Sequence, residues 1–309
     1  MNLFKKTVRD INQLRIQGAT NVAKSAVKAL EFLAEKSKAR TKADFLKELE
    51  KARQELCAKR LTEPLMRNAL RYIHFNVKDS SVESVEDLKK LVSVVGEDIL
   101  KNVDADKEKI AHFLANKVAE GNTVLTHCHS STVTAGLIKA WKDGKKFSVI
   151  CTETRPLFQG RRTAKELIEA GIPVTMIVDS AMSTFIEKTD FVVVGCDVIT
   201  ADINLINKVG TLYAALASKR TNRPFYVCTE LAKFDPETLF GKNEQIEQRP
   251  ADEIWKSRPD KLNIANPAFD VTPRELLTSF ITQEGIIPPD SLFDMVKDKA
   301  PWILYGVKQ

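Results

Sequence analysis

Residues 191–199 read FVVVGCDVI. A short strand is read over Phe191–Gly195, and its FVVV run is apolar without alternation, the pattern of a strand covered on both faces. The run ends on a glycine, a thiol and a carboxylate. Four more runs of this kind flank it: TVLTH at Thr123–His127, FSVICT at Phe147–Thr152, PVTMIV at Pro173–Val178 and PFYVCT at Pro224–Thr229. Helical patterns separate them, near 130–142, 161–170, 180–187 and 210–221. Strand alternating with helix predicts a parallel, doubly wound sheet with right-handed crossovers. Ligands of such sheets bind beyond the carboxyl ends of the strands, where strand order reverses. The residues that follow each strand therefore carry the functional reading.

Upstream of this region the texture is different. Leu3 to Leu14 is apolar-periodic, and Ile16-Gln17-Gly18 breaks the pattern. Val22, Ala26, Ala29, Leu30 and Leu33 mark the stripe of a second helix. Thr41, with Asp44 three residues on, gives a helix-start signal, and that helix runs to about Ala58. Pro64 suits the first turn of another. Two further helices are predicted over 84–103 and 105–119, and no strand-like run interrupts them. The chain reads as an α/β protein, with an all-helical domain over 1–120 and a doubly wound parallel-sheet domain over 121–309.

The chain has 309 residues, a length that suits two domains and buries a full core without staples. A hydrophobic fraction of 43% and a charged fraction of 28% exclude disordered, collagenous and disulfide-scaffold classes. No apolar run approaches the length of a membrane span, and MNLFKKTVRD has charges where a signal peptide has its apolar core. The five cysteines, Cys57, Cys128, Cys151, Cys196 and Cys228, include no C-x-x-C pair, which fits free thiols in a reducing cytosol. A cytoplasmic protein with no membrane partner is expected. The net charge of +6 is uneven: residues 1–60 hold 15 Lys and Arg against 7 Asp and Glu. Such an excess suits an anionic partner, sugar phosphate or nucleic acid, and equally suits solvated helix faces. No zinc-finger spacing and no RNA-recognition aromatic motif supports the nucleic-acid version.

Five post-strand segments form a chemically equipped rim. They are Cys128-His129-Ser130-Ser131-Thr132, Glu153-Thr154-Arg155-Pro156 with Gln159-Gly160, Asp179-Ser180, Cys196-Asp197, and Glu230 with Lys233. Cys128 sits where a strand meets a helix start, a field that favours thiolate and a base or nucleophile role; a small buried hydrophobe is the plainer reading. Ser130, Ser131 and Thr132 suit a phosphate at a helix N-terminus, or ordinary capping. Asp197 suits a general acid with a raised pKa, or a cap on the next turn. Lys208, after Asn207, and Lys233 suit neutralisation of a phosphate, or solvation. His127-Cys128-His129 cannot converge on a metal, because adjacent residues of an extended chain point apart. His74 and His112 fall in helical stretches and read as structural. G-x-G-x-x-G and the Walker loop are absent, which removes the main support for nicotinamide and nucleoside-triphosphate chemistry.

The ordered run THCHSSTV, TETRPLFQGRRTAKELIEAGIPVTMIVDSA, VVVGCDVI and INKVGT, continued by TELAKFDPET, IEQRP, NPAFDVTP and EGIIPP, resembles the initiation factor 2B alpha/beta/delta family over nearly the whole chain. Within that family it is most similar to the archaeal-type ribose-1,5-bisphosphate isomerases, chiefly through NPAFDVTPRELLTSFITQEGIIPP. The resemblance implies a helical domain followed by a Rossmann-like domain. It implies Cys128 and Asp197 as catalytic residues. It implies Gln17, Gly18, Ala19, Arg60, Ser130, Ser131, Gln159, Asn207, Lys208 and Lys233 as substrate-binding residues. No metal or organic cofactor is expected. A homo-oligomer, a dimer or a hexamer built as a trimer of dimers, is expected, with AMP as an activator. The implied reaction converts ribose 1,5-bisphosphate to ribulose 1,5-bisphosphate in AMP breakdown.

Four departures from the family pattern stand out: Gln17 in place of Arg, Leu61 in place of Pro, His129 in place of Asn, and Asp202-Ile203 in place of an Asn-Gly turn. Three of them touch the expected binding surface. Two alternatives accompany the isomerase: a non-enzymatic regulatory subunit of the initiation factor 2B type, and a methylthioribose-1-phosphate isomerase. The Cys128–Asp197 pair favours an enzyme over the regulatory subunit.

Overall fold

The computed structural model of the chain describes residues 3–60 and 62–304. They divide into two units. The first comprises the residues up to Ala105, Ala232–Glu244 and those from Met295 onward; the second comprises Asp106–Leu231 and Gln245–Asp294.

The first unit is built on helices α1 (Leu3–Asn12), α2 (Ala19–Glu35), α3 (Lys42–Cys57), α4 (Pro64–Asp79) and the N-terminal part of α5 (Val85–Lys117). Each predicted start signal is used. Thr41 accepts the Asp44 N–H as the cap of α3, and Pro64 is the first residue of α4. The apolar stripes converge on a core of Ile11, Leu30, Phe45, Leu49, Leu70 and Ile73, all fully buried. Asn68 ties the 232–244 segment to α4, its amide donating to the carbonyls of Ala232 at 2.9 Å and Phe234 at 2.8 Å. The expectation of two helices over 84–103 and 105–119 is corrected: α5 runs unbroken for 33 residues. No proline or glycine lies near the expected break, and Asp104 sits on an exposed face within reach of Lys24. An acidic residue with a solvated partner does not terminate a helix.

The second unit holds a seven-stranded sheet. The expected runs form β1 (Thr123–Thr126), β2 (Ser148–Thr152), β3 (Val174–Ile177), β4 (Phe191–Val194) and, after β5 (Val198–Ile199) and β6 (Leu205–Lys208), β7 (Phe225–Cys228). β8 (Phe269–Thr272), β9 (Ser279–Thr282) and β10 (Gly285–Ile287) come from the C-terminal third. The order is β10-β9-β7-β4-β1-β2-β3, parallel except for β10. Helices α6 (Ser131–Lys142), α7 (Gln159–Glu169), α8 (Met182–Ile186) and α9 (Thr211–Arg220) connect the strands; α10 (Pro289–Lys299) follows them. Val124, Val149, Val193, Leu137 and Leu167 pack with Ile110 and Leu114 in one continuous core. From β1 the chain steps outward to β2 and β3, then returns to lay β4 on the other side of β1. The reversal point thus falls between β1 and β4, the strands that end at Cys128 and Asp197.

A second, antiparallel sheet has the order β5-β6-β8. Its β5–β6 hairpin turns at Ile203, where the family pattern has glycine. Ile203 is left-handed, with φ of +63°, a conformation that glycine adopts without strain. A left-handed residue with a β-carbon costs roughly 1–2 kcal/mol, but Ile203 is 4% exposed, and deleting a buried isoleucine side chain costs roughly 2–5 kcal/mol. Burial wins. Ile203→Gly is therefore expected to lower stability, by roughly 2 kcal/mol at the middle of the range of about 0–4 kcal/mol that the difference of those two terms spans. A chemical-denaturation midpoint checks the sign.

Candidate active site

The hairpin and the reversal point together build the site of the second unit. Gly195 follows β4, and a β-carbon there would lie 2.7 Å from Cβ of Ser130. The missing side chain lets the loop after β1 approach the end of β4. The Asp197 N–H donates to the Ile206 carbonyl at 3.1 Å, which sets Asp197 across from the strand that carries Asn207 and Lys208. Asp197, Cys128, Ser130, Ser131, Gln159 and Lys208 are all half-buried, while Asn207 is buried.

Cys128 stands in the left-handed region, with φ of +67°. A non-glycine residue persists there at a cost of roughly 1–3 kcal/mol only when its surroundings fix it. Here they do. The Cys128 N–H donates to Thr154 Oγ1 at 3.1 Å, and the Cys128 carbonyl accepts from Thr163 Oγ1 at 2.9 Å. Thr154 is itself left-handed, at +62°. Its N–H donates to one oxygen of Asp179 at 2.8 Å, and the Arg155 N–H donates to the other at 2.7 Å.

The expectation of a thiolate-favouring Cys128 is corrected. Burial pushes the thiol up to about 11, and the negative charges of Asp197 and Asp179 push the same way. Lys208 and a backbone hydrogen bond at His129 oppose them without prevailing. Part of the helix start that suggested a thiolate is spent on its own cap: Ser130 accepts the Val133 N–H. Ser130 thus takes the capping role that the sequence left open, and Ser131 is the first residue of the helix. Cys196 is buried, as expected of a packing residue.

The remaining positions are placed as follows. Gln159 opens α7, and its side-chain oxygen is buried without a hydrogen-bond partner. Asn207 donates to the Thr211 hydroxyl at 3.0 Å, and that hydroxyl donates to the Lys208 carbonyl at 2.6 Å. The Lys208 ammonium lies 4.9 Å from the Phe269 ring centroid and acts on Cys128 electrostatically. Gln17, Gly18, Ala19, Arg60 and Lys233 belong to the first unit. Gln17 is exposed and folds its amide onto the Leu14 carbonyl; Gly18 caps α2 with φ of +84°, and Ala19 begins that helix. Arg60 is buried and donates to Glu63 at 2.7 Å. Lys233 is buried. Leu61 lies outside the described residues.

The two histidines that flank Cys128 bond different partners, because left-handed Cys128 breaks the extended chain between them. His127 bonds Thr152 and Val209; His129 bonds Thr163 at 3.1 Å and has Glu166 at 3.9 Å. Among the described residues no group of three or more His, Cys, Asp and Glu is placed to hold a metal.

Thr152, Thr163 and Asp270 are site-building residues that the sequence reading passed over. The first two sit inside a strand and a helix, with nothing local to mark them. Asp270, on β8, accepts from the N–H groups of Gly210 at 2.6 Å and Leu212 at 3.2 Å at the start of α9. Burial raises its carboxyl to about 6, and those N–H bonds oppose the rise. The folded state therefore keeps this proton over a pH range in which the unfolded chain has released it, so this group's contribution to stability falls as pH rises from about 4 to about 6 and is constant above. Asp270→Asn removes that dependence. The melting temperature of wild type relative to Asp270→Asn is expected to fall by a few degrees between pH 4.5 and 7.5, measured by thermal unfolding of both proteins.

The profile of the initiation factor 2 subunit family matches residues 15–289 of the chain. A protein named ribose 1,5-bisphosphate isomerase from Thermococcus kodakarensis is 39% identical over 302 residues, covering 95% of this chain and 94% of that one. A methylthioribose-1-phosphate isomerase from Pelotomaculum thermopropionicum is 34% identical, over 90% of this chain and 81% of its own length. The solved structure of a translation initiation factor eIF-2B from Pyrococcus horikoshii OT3 superposes with a TM-score of 0.81 at 29% identity, covering 93% of this chain and 97% of that one.

Proposed function

Since the chain belongs to the initiation factor 2 subunit family, and its archaeal relatives named ribose 1,5-bisphosphate isomerase match it at up to 40% identity over more than nine-tenths of its length, we infer that it is an enzyme, an aldose–ketose isomerase that converts ribose 1,5-bisphosphate to ribulose 1,5-bisphosphate. The observation that carries this reading is that full-length similarity. The placement of Cys128 and Asp197 at the ends of β1 and β4, the strands flanking the reversal point, supports the assignment of roles.

The anomeric carbon of this substrate carries a phosphate, so the ring cannot open to a free aldehyde. Cys128 serves as the base and Asp197 as the acid: the thiol proton passes first to the Asp197 carboxylate, so the substrate meets a thiolate and a carboxylic acid. The Cys128 sulfur takes the proton from C2 while the C1–ring oxygen bond breaks and Asp197 protonates the departing oxygen. The product of this step is an enol phosphate with a C1–C2 double bond. Asp197 then takes the proton from the C2 hydroxyl as the carbonyl forms, and the Cys128 thiol returns its proton to C1. Both groups end as they began.

Phosphate and sugar contacts are assigned to Gln17, Gly18, Ala19, Arg60 and Lys233 in the first unit and to Ser130, Ser131, Gln159, Asn207 and Lys208 in the second. Arginine and lysine supply the cations that two phosphate groups require. We further assign a homo-oligomer, a dimer or a trimer of dimers, with AMP as activator and the cytoplasm as location. No helix among the described residues is long and apolar enough to cross a membrane.

Phosphorus NMR of α-ribose 1,5-bisphosphate mixed with the purified protein tests the reaction. The anomeric phosphate resonance should be replaced by that of ribulose 1,5-bisphosphate. An unchanged spectrum, with methylthioribose 1-phosphate turned over instead, would transfer the assignment to the other isomerase.

A further inference from the structure

His127 precedes Cys128 and is 2% exposed. Its Nε2 lies 2.9 Å from the Val209 carbonyl, and its Nδ1 lies 2.7 Å from Thr152 Oγ1. A carbonyl only accepts, so Nε2 carries a hydrogen. Burial also lowers the ring's pKa, which leaves Nδ1 as an acceptor for the Thr152 hydroxyl. The Thr152 oxygen then accepts from Thr154 Oγ1, 3.1 Å away, and Thr154 Oγ1 accepts from the Cys128 N–H. Every hydrogen in this sequence runs one way: Cys128 to Thr154, Thr154 to Thr152, Thr152 to His127, His127 to Val209.

The chain ends where the structure has made room for it. Gly210 follows Val209 with φ of +106°, and a β-carbon there would sit 2.9 Å from Nε2 of His127. The imidazole thus occupies space that only a glycine leaves open, at the turn between Lys208 and α9. The other end of the chain is the left-handed Cys128, whose backbone hydrogen bond to Thr154 fixes the direction in which Cα projects its sulfur.

We propose that His127 is a positioning residue for Cys128: as the Nε2–H tautomer it terminates a hydrogen-bond chain through Thr152 and Thr154 that holds Cys128 in its left-handed conformation and keeps the loop after β1 in register with the Val209–Gly210 turn. This inference rests on the isomerase reading for its effect on turnover, but not for its effect on the thiol itself. His127 touches no reacting atom in this scheme; it acts through the two threonines.

Thr152→Val is the first test. Threonine and valine have nearly the same shape, Thr152 is fully buried in β2, and valine is at home in a strand. Only the hydroxyl is lost. Two readouts are taken on Thr152→Val, Thr152→Ser and wild type: kcat and KM for ribose 1,5-bisphosphate, and the rate at which iodoacetamide labels Cys128, followed by peptide mass.

The expected result for Thr152→Val is a fall in kcat of at least tenfold with KM changed less than threefold, and labelling of Cys128 accelerated at least fivefold as the sulfur leaves its enclosed position. Thr152→Ser restores the hydroxyl and is expected to recover both values to within threefold of wild type. Wild-type kcat and labelling in Thr152→Val would overturn the proposal. So would equal losses in the valine and serine variants, which would mean packing and not hydrogen bonding. If wild type does not turn over this substrate, the isomerase reading fails, and the labelling rates alone decide the positioning role. Should Thr152→Val not fold, His127→Asn and His127→Leu are compared by the same two readouts. Asparagine keeps an acceptor near the Nδ1 position and leucine does not, so leucine must show the larger effect; no difference between them would overturn the proposal.

Discussion

Replacing Cys128 by serine is expected to lower kcat by about a thousandfold, within the range that a positioned general base contributes, while binding of ribose 1,5-bisphosphate changes less than threefold. The exchange of sulfur for oxygen is small in volume, so the site is kept. What is lost is basicity within reach. Burial and the charges of Asp197 and Asp179 hold the resting thiol near 11, so most of the free enzyme carries a neutral sulfur. The reactive form is made when the proton balance between Cys128 and Asp197 changes. A carboxyl that takes up a proton loses the negative charge that raised the thiol, and that same proton is then ready for the ring oxygen. A serine hydroxyl, several units weaker as an acid, is not brought into range by the loss of one charge.

Asp197→Asn tests the other half of this arrangement, with an opposite sign at the thiol. Turnover falls by a comparable factor because the ring oxygen has no proton donor. The Cys128 thiol, however, loses one of the charges that hold it up, so its pKa falls. The midpoint of the pH dependence of Cys128 alkylation should move to lower pH in Asp197→Asn than in wild type. Retained turnover in either variant would remove that residue from the chemistry. An unmoved alkylation midpoint would mean that the Asp197 charge does not reach the thiol.

The chain's fold was legible because its signals are local. The five apolar runs, the threonine cap at Thr41 and the proline at Pro64 each act within a few residues, and all five predicted strands are present within one residue of each end. β5, β6, β8, β9 and β10 were not legible. They have two to four residues each, too few for a period to show, and most pair antiparallel at the rim. The candidate site was half legible. Strand ends pointed to Cys128 and Asp197, because the position of a residue after a strand is written in sequence. The thiol's protonation was misread for a physical reason: a helix start is a local feature, whereas the burial that outweighs it comes from segments far away in the chain. Thr152 and Thr163 are invisible for a related reason. Their hydroxyls matter only because β2 and α7 lie beside the loop after β1. At Ile203, which lacks the glycine that makes such a turn easy, the chain is left-handed and offsets the strain with burial.

Gly160→Ala is expected to be the most damaging of the small substitutions. In an ordinary helix the exchange stabilises, because alanine is favoured over glycine by about 1 kcal/mol. Gly160 is the second residue of α7, so propensity alone predicts a gain. A β-carbon there would lie 1.7 Å from the carbonyl oxygen of Thr152 and 2.8 Å from its carbonyl carbon. Those are backbone atoms of a central strand, paired with β1 and β3, and they cannot rotate away as a side chain can. Either α7 lifts from the sheet or β2 shifts, and each outcome costs more than the propensity gain; a loss of roughly 3 kcal/mol or more follows from overpacking a rigid contact. The displacement also reaches the chemistry. Gln159 adjoins the clash, Thr163 on the same helix holds the Cys128 carbonyl, and Thr152 belongs to the chain that holds the Cys128 N–H. Turnover should therefore fall further than stability accounts for when both are measured at a temperature where the variant is fully folded. Gly136→Ala is the control. Its added carbon meets the Leu114 side chain, at 2.7 Å, in the middle of α6 and away from the backbone of β2. Equal losses of turnover in the two variants would show that the contact between α7 and the end of β2 has no special bearing on the site.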